Sequence, residues 1–208
     1  MRNILYLIVP VLFIVPIFSS AQEDFKVTAE SCSVVDIQTA ADEVESNNGG
    51  TVYVPAGNCQ HNGDYIKIPD GISLIGAGQE QTIIDGANIR ISTLYYGNLN
   101  KGFRISGFTF TGDSHINLDT VHDFRIDHIS IEVNSGTGIA LTRDCYSGVI
   151  DHCSINCNGS YYGITVTGTR DEFPQCWEDL EGILGQSTAI FIEDNTFSGS
   201  DYYHATVG

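Results

Sequence analysis

The chain has 208 residues, enough for one domain with a sizeable core. Lys and Arg total 9 against 26 Asp and Glu, a formal net charge of −17; such a surface repels phosphate backbones and anionic headgroups, which excludes nucleic acid and membrane-surface partners. A hydrophobic content of 42% with 22 Gly and only 5 Pro excludes a disordered chain and points to a packed, turn-rich one.

At the start, Arg2 precedes an apolar run from Ile4 to Phe18 that closes on Ser19-Ser20-Ala21. A positive segment, a short apolar stretch and small residues are the parts of a secretory signal. A membrane span needs about 20 apolar residues, and this shorter run is interrupted by Pro10 and Pro16. Residues 1–21 are therefore predicted to be cleaved, leaving an exported domain, 22–208, that is secreted or at the cell surface and not inserted in a membrane. Six cysteines in an exported chain suggest disulfides, and Cys32 and Cys59, which bracket one short supersecondary unit, form the preferred bridge. No CxxC is present, and Cys153-x3-Cys157 lacks a matching pair, which argues against zinc. Asn158-Gly159-Ser160 is an acceptor sequon for glycosylation.

From Asp36 to Asn47 the spacing of Ile37, Ala40, Ala41 and Val44 predicts a short amphipathic helix capped by an acid. Gly49-Gly50 ends it, and Thr51 to Val54 reads as a strand closed by Pro55-Ala56-Gly57. The chain then repeats. Arg104-Ile105-Ser106-Gly107-Phe108 aligns with Arg125-Ile126-Asp127-His128-Ile129, with Val149-Ile150-Asp151-His152-Cys153, and with Phe191-Ile192-Glu193-Asp194-Asn195. A second strand recurs in phase at Ile116–Leu118, Ile139–Leu141 and Ile164–Val166. A period of roughly 20 to 25 residues, built of β-branched strands and Gly/Asn/Asp turns, marks a solenoid. Without helical periodicity between the strands, the pattern fits an all-β parallel β-helix whose stacked coils share one core. The long step from Ile150 to Ile192 is one coil carrying an extra loop, Gly168 to Ser187. The last residues, Tyr203 to Gly208, resemble the start of a further coil strand, so the sequence is expected to be an N-terminal fragment.

These residues also carry a family resemblance. Asp36-Ile37-Gln38-x-Ala40-Ala41 and then Gly49-Gly50-Thr51-Val52-Tyr53-Val54-Pro55-Ala56-Gly57 resemble the opening of pectate-lyase-like right-handed parallel β-helix proteins. Gly71 to Gly78, Thr82 to Gly86 and the Ile192-to-Phe197 pattern resemble later coil segments of that superfamily. The resemblance implies a right-handed β-helix with a short N-terminal capping helix and coils of three strands. It places Ile116–Leu118, Ile139–Leu141, Ile164–Val166 and Ala205–Val207 on the first face. A tight second turn then falls at Asp127–Ile129, Asp151–Cys153 and Glu193–Asn195. The inward ladder position of that turn reads Phe108, Ile129, Cys153 and Asn195, so apolar stacking replaces most of the usual Asn ladder and Cys153 points inward.

Ile126-Asp127-His128 and Ile150-Asp151-His152 resemble a pectate lyase signature with its Trp missing. Asp127, Asp151 and Glu193 could form a carboxylate column that attracts a cation, but a motif repeated at the coil period is what a turn stack produces, and stacking is the expectation. The groove is placed instead on the first face and its flanking turns. A lyase acting on a uronate needs a positive group on the carboxylate and a base. Arg143 and Arg170 are the candidates for catalysis, judged the only basic groups well placed there. Asp119, Asp123 and Asp144 are candidates for Ca²⁺, and His115, Asn117, His122, Thr165 and Asp171 for substrate. Trp177, Tyr161, Tyr162, Tyr202 and Tyr203 are candidates for sugar stacking.

The expectation is thus a monomeric, carbohydrate-active protein, a lyase of acidic, uronate-containing polysaccharide, with calcium as a cofactor. A glycoside hydrolase is the weaker enzymatic option, because no polygalacturonase-like set of carboxylates is present. A non-catalytic cell-surface or adhesion solenoid is the rival.

Overall fold

The computed structural model describes residues 24–93, 95–158, 162–168, 189–200 and 205–207. One helix, α1 (Val34–Ser46), comes after β1 (Phe25–Thr28). Next come β2 (Gly50–Val54), β3 (Gly57–Ile68), β4 (Ile72–Gly76), β5 (Thr82–Ser92) and β6 (Phe103–Thr111). After these run β7 (Ile116–Asp119), β8 (His122–Val133), β9 (Thr137–Thr142), β10 (Tyr146–Asp151) and β11 (Ser154–Asn158). The described chain closes with β12 (Tyr162–Thr167), β13 (Ile190–Glu193), β14 (Thr196–Ser200) and β15 (Ala205–Val207). No described helix is long and apolar enough to cross a membrane.

Every strand pairing among the described residues is parallel, and the strands stack as a β-solenoid of about six turns. Three columns of inward apolar residues define its faces. The groove face carries Ile66, Ile89, Ile116, Ile139 and Ile164, in register from β3 to β12. The second column carries Val27, Val52, Leu74, Ile105, Ile126, Ile150 and Ile192. The third carries Cys59, Ile84, Phe110, Ile131, Ile155 and Phe197. Most of these side chains are fully buried, so each coil gains its core from the coils above and below it. The expected repeat and its phase are therefore observed.

The sequence reading missed the first two groove-face rungs, Ile66 and Ile68 in the second half of β3 and Ile89 and Ile91 in the second half of β5. β5 bends at Gly86, whose φ is 75°, and its second half places Ile89 and Ile91 beneath Ile116 and Leu118. Residues 93–102 then intervene before β6, which hides the rung from a search for a fixed period.

The helix begins two residues before the expected start. Ser33, not Asp36, is the N-cap, and its hydroxyl accepts from the Asp36 N–H. Asp36 stands in the first turn, where its carboxylate accepts from Ser31, whose Oγ in turn accepts from the Ser33 N–H. Ile37, Ala40, Ala41 and Val44 face inward as the spacing predicts, and the helix packs on β1, β2 and β3. The Cys32–Cys59 disulfide ties the residues before the helix to β3. Cys145, Cys153 and Cys157 are free thiols. Cys153 is buried, and burial pushes its thiol up to about 12, so it is a core residue rather than a nucleophile.

Candidate functional site

The Ile-Asp-His motif resolves into a ladder at the tight turn. Gly107, His128, His152 and Asp194 succeed one another along the stack, each with φ between 51° and 80°. Just before them lie Ser106, Asp127, Asp151 and Glu193, also in register. Asp127 is fully buried and is gripped by Arg104 of the preceding coil through Nε at 2.6 Å and through Nη2. Asp151 is held in the same way by Arg125, at 2.9 and 2.7 Å. Burial pushes the Asp127 carboxyl up, but the Arg104 and His128 hydrogen bonds together hold it below the ordinary value of 3.8. Asp151 is held low chiefly by its bond from Arg125. Asp127 and Asp151 of the carboxylate column are thus neutralised from within, and at these two coils the turn-stack expectation is the one observed. The Asn ladder is reduced to Asn195, which accepts from the Cys153 N–H at 2.9 Å and donates to the Ile150 carbonyl at 2.8 Å.

The groove face is different. Its outward middle row runs Lys67, Arg90, Asn117, Ala140, Thr165, one residue per coil. Beside it lie Tyr65, Asn88 and His115. Arg90 stacks over the Tyr65 ring at 4.9 Å, and the buried Asn88 accepts from the His115 N–H at 2.8 Å. Tyr65, Asn88, Asp113, His115, Asn117 and Thr137 line a shallow pocket of about 430 Å³. Arg90 is absent from the sequence-derived candidates because its rung was missed. This corrects the expectation that Arg143 and Arg170 are the only basic groups there. Of the four arginines among the described residues, Arg104, Arg125 and Arg143 pair with carboxylates and Arg90 does not. Burial, reinforced by the Arg90 charge, lowers the His115 pKa from 6.5 and favours the neutral imidazole. A hydrogen bond to the Asp113 backbone engages one part of this ring against that trend.

The other expected residues gather at the opposite edge of the same face. On β7, Asn117 of the middle row points outward between the buried Ile116 and Leu118, and Asp119 points outward beyond Leu118, at this edge. Asp119 is nonetheless mostly buried, because Arg143 covers it at 2.7 Å, with Thr120 Oγ1 donating to its other oxygen at 3.0 Å. Arg143 also lies over the Tyr95 ring at 5.6 Å. His122 meets the exposed Asp123 at 3.0 Å and stacks on Tyr146 with ring centres 5.1 Å apart. His122, Asp144, Tyr146, Thr120, Asn98 and Asn100 line a second pocket of about 310 Å³. Thr165 lies in the middle row, three coils from Arg90. Arg170, Asp171, Tyr161, Trp177, Tyr202 and Tyr203 lie outside the described residues.

The calcium set is not assembled. Among the described residues no three His, Cys, Asp or Glu side chains group so as to hold a metal ion. Asp119 already accepts from Arg143 and Thr120, so its carboxylate is not open to a hard cation with Asp123 and Asp144.

No family model matches the chain. It is 35% identical over 89 residues to a mannuronan C5-epimerase, AlgE3, of Azotobacter vinelandii; the match covers 37% of this chain and 5% of the epimerase. Among solved structures, it resembles the catalytic domain of a GH87 α-1,3-glucanase complexed with tetrasaccharides. That likeness has a TM-score of 0.45 and 15% identity, and covers 94% of this chain and 42% of the glucanase domain. The chain thus spans less than half the length of either protein.

Proposed function

We propose that this chain is part of an exported β-helix protein that acts on an acidic, uronate-containing polysaccharide by removing the proton at C5, next to the uronate carboxylate. One observation carries the reading: in a chain of net charge −17, the groove face keeps an arginine, Arg90, without a carboxylate partner among the described residues, beside a histidine biased to neutrality. Arg90 pairs with the sugar carboxylate and stabilises the negative charge that develops there when the C5–H bond breaks. Neutral His115 takes the proton. Asn117 and Thr165 on the middle row, with Tyr65 at its edge, hold neighbouring sugars along the coil axis. The electron pair left at C5 then either expels the O4 substituent, which is the pectate-lyase-like outcome, or takes a proton on the other sugar face, which is epimerisation. The 89-residue similarity to a mannuronan C5-epimerase supports C5 chemistry and leaves both outcomes open to test. No step is routed through calcium, because the described Asp119, Asp123 and Asp144 do not assemble a site for it.

Export rests on the leader, residues 1–21, and the protein is proposed to act as a monomer outside the cell. The test is incubation of the full-length protein with pectate, alginate and other uronate polymers, tracking unsaturated ends by ultraviolet absorbance and C5 configuration by NMR. Product from the native chain and none from Arg90→Gln is expected. Binding without product in every polymer, with and without Ca²⁺, would instead support a non-catalytic adhesion solenoid.

A further inference from the structure

Like charges that face each other across neighbouring strands are destabilising unless a counter-charge lies between them. Among the described residues, two pairs of Lys or Arg stand in register on successive coils: Arg104 with Arg125, and Lys67 with Arg90. The first pair has its counter-charge. The Asp127 carboxylate accepts from Arg104 Nε at 2.6 Å and lies 3.8 Å from Arg125 Nε, so one carboxylate serves both cations. The second pair has none among the described residues.

Lys67 is the exposed residue between the buried Ile66 and Ile68, on the first groove-face rung. Gln38 of α1 fixes its backbone, accepting from the Lys67 N–H at 2.9 Å and donating to the Lys67 carbonyl at 2.8 Å. The same amide donates to Asp42 at 2.8 Å, yet neither Asp42 nor any other described carboxylate forms an ion pair with Lys67. One coil on, the Arg90 guanidinium lies 4.9 Å from the centre of the Tyr65 ring. Tyr65 stands two residues before Lys67, on the same outward side of β3. Arg90 therefore reaches back over the coil that carries Lys67. Beyond it the outward middle row continues as Asn117, Ala140 and Thr165, so Lys67 and Arg90 are the charged part of that row among the described residues.

We infer that Lys67 and Arg90 form a clamp for a single carboxylate supplied by the ligand, the external counterpart of Asp127 between Arg104 and Arg125. The inference rests on the uronate reading of the groove and extends it: the sugar carboxylate assigned to Arg90 is shared with Lys67. The two cations differ in what they contribute. The guanidinium presents a planar fork held on Tyr65, whereas the ammonium is a point charge on a flexible stem that follows the second carboxylate oxygen. His115, whose N–H bonds to Asn88 of the Arg90 strand, stands one coil further, on the other side of Arg90 from Lys67.

The test is calorimetric titration of the full-length chain, in Ca²⁺-free buffer, with oligogalacturonate, with oligomannuronate, and with both after reduction of their carboxyls to alcohols. The native chain is expected to bind an acidic oligomer in preference to its reduced form. Lys67→Gln should weaken that binding by about 10–100-fold, which is what a hydrogen bond to a charged group contributes, and Lys67→Arg should restore it. The reduced oligomers should bind native chain and variant alike. Because Lys67→Gln removes a like-charge opposition, the ligand-free variant should melt no lower than the native chain, whereas a merely structural Lys67 would lower the melt. Unchanged acidic-oligomer affinity in Lys67→Gln, an equal loss for the reduced oligomers, or no preference of the native chain for the acidic form would each overturn the clamp. Binding that needs Lys67 but yields no C5 product upholds the clamp and overturns the C5 chemistry. Product that needs Arg90 and is indifferent to Lys67, in both binding and turnover, does the reverse.

Discussion

The tight turn and the groove face are built from the same coil repeat, yet the turn and the Arg90 rung of the groove face treat charge in opposite ways. At the turn, Arg104 and Arg125 each close on the Asp of the next coil, and the acids are buried. On the groove face Arg90 has the Tyr65 ring in place of a carboxylate, beside a His whose charged form is disfavoured. Paired charges that recur with the coil stabilise the stack. A cation without such a pair, on a rung where the period breaks, is positioned for something outside the chain.

This contrast can be broken by substitution. The largest effect is expected at the turn: Asp127→Ala strands the Arg104 and His128 partners of a fully buried carboxylate and should cost about 2–3 kcal/mol in urea denaturation. A loss below about 0.5 kcal/mol would show that the ladder does not stabilise the stack.

Acid should act in the same direction. Asp127 and Asp151 titrate below 3.8 when folded, so their stabilisation is complete above that value and disappears as pH falls through the lowered folded values. Melting temperatures measured from about pH 5 to about pH 2 should fall steeply for the native chain and less steeply for Asp127→Asn with Asp151→Asn. Equal slopes would contradict the pairing.

On the groove face the order reverses. Arg90→Gln should change stability by no more than about 0.5 kcal/mol while product formation on uronate polymers is lost. A large drop in stability would return Arg90 to the scaffold and erase the contrast. The smallest effect is a shape: the acid limb of kcat/KM should lie below 6.5, because His115 must be neutral to act and its pKa is lowered. A limb above 6.5 would point to another base.

Much of the architecture was legible in the sequence, because the step between Ile105, Ile126, Ile150 and Ile192 reports directly which side chains stack. The disulfide and the helix face were legible from local spacing, and the inward Cys153 from the turn layout that the family resemblance implies. Arg90 was not, since Gly86 and residues 93–102 take its rung out of phase. The arginine clamps were partly legible: Arg104 and Arg125 sit at one fixed repeat position, and the acids two places along were read without their neighbours one coil below. The covering of Asp119 by Arg143 joins residues 24 apart in sequence and depends on side-chain reach, which no spacing rule conveys.

The measurement that bears most directly on the account is proton NMR of a uronate polymer incubated with the full-length protein in deuterated water. The account predicts that C5–H signals disappear in step with either deuterium at C5 or a C4–C5 double bond, and that Arg90→Gln abolishes the change. A polymer that binds the groove yet keeps every C5–H intact would contradict it.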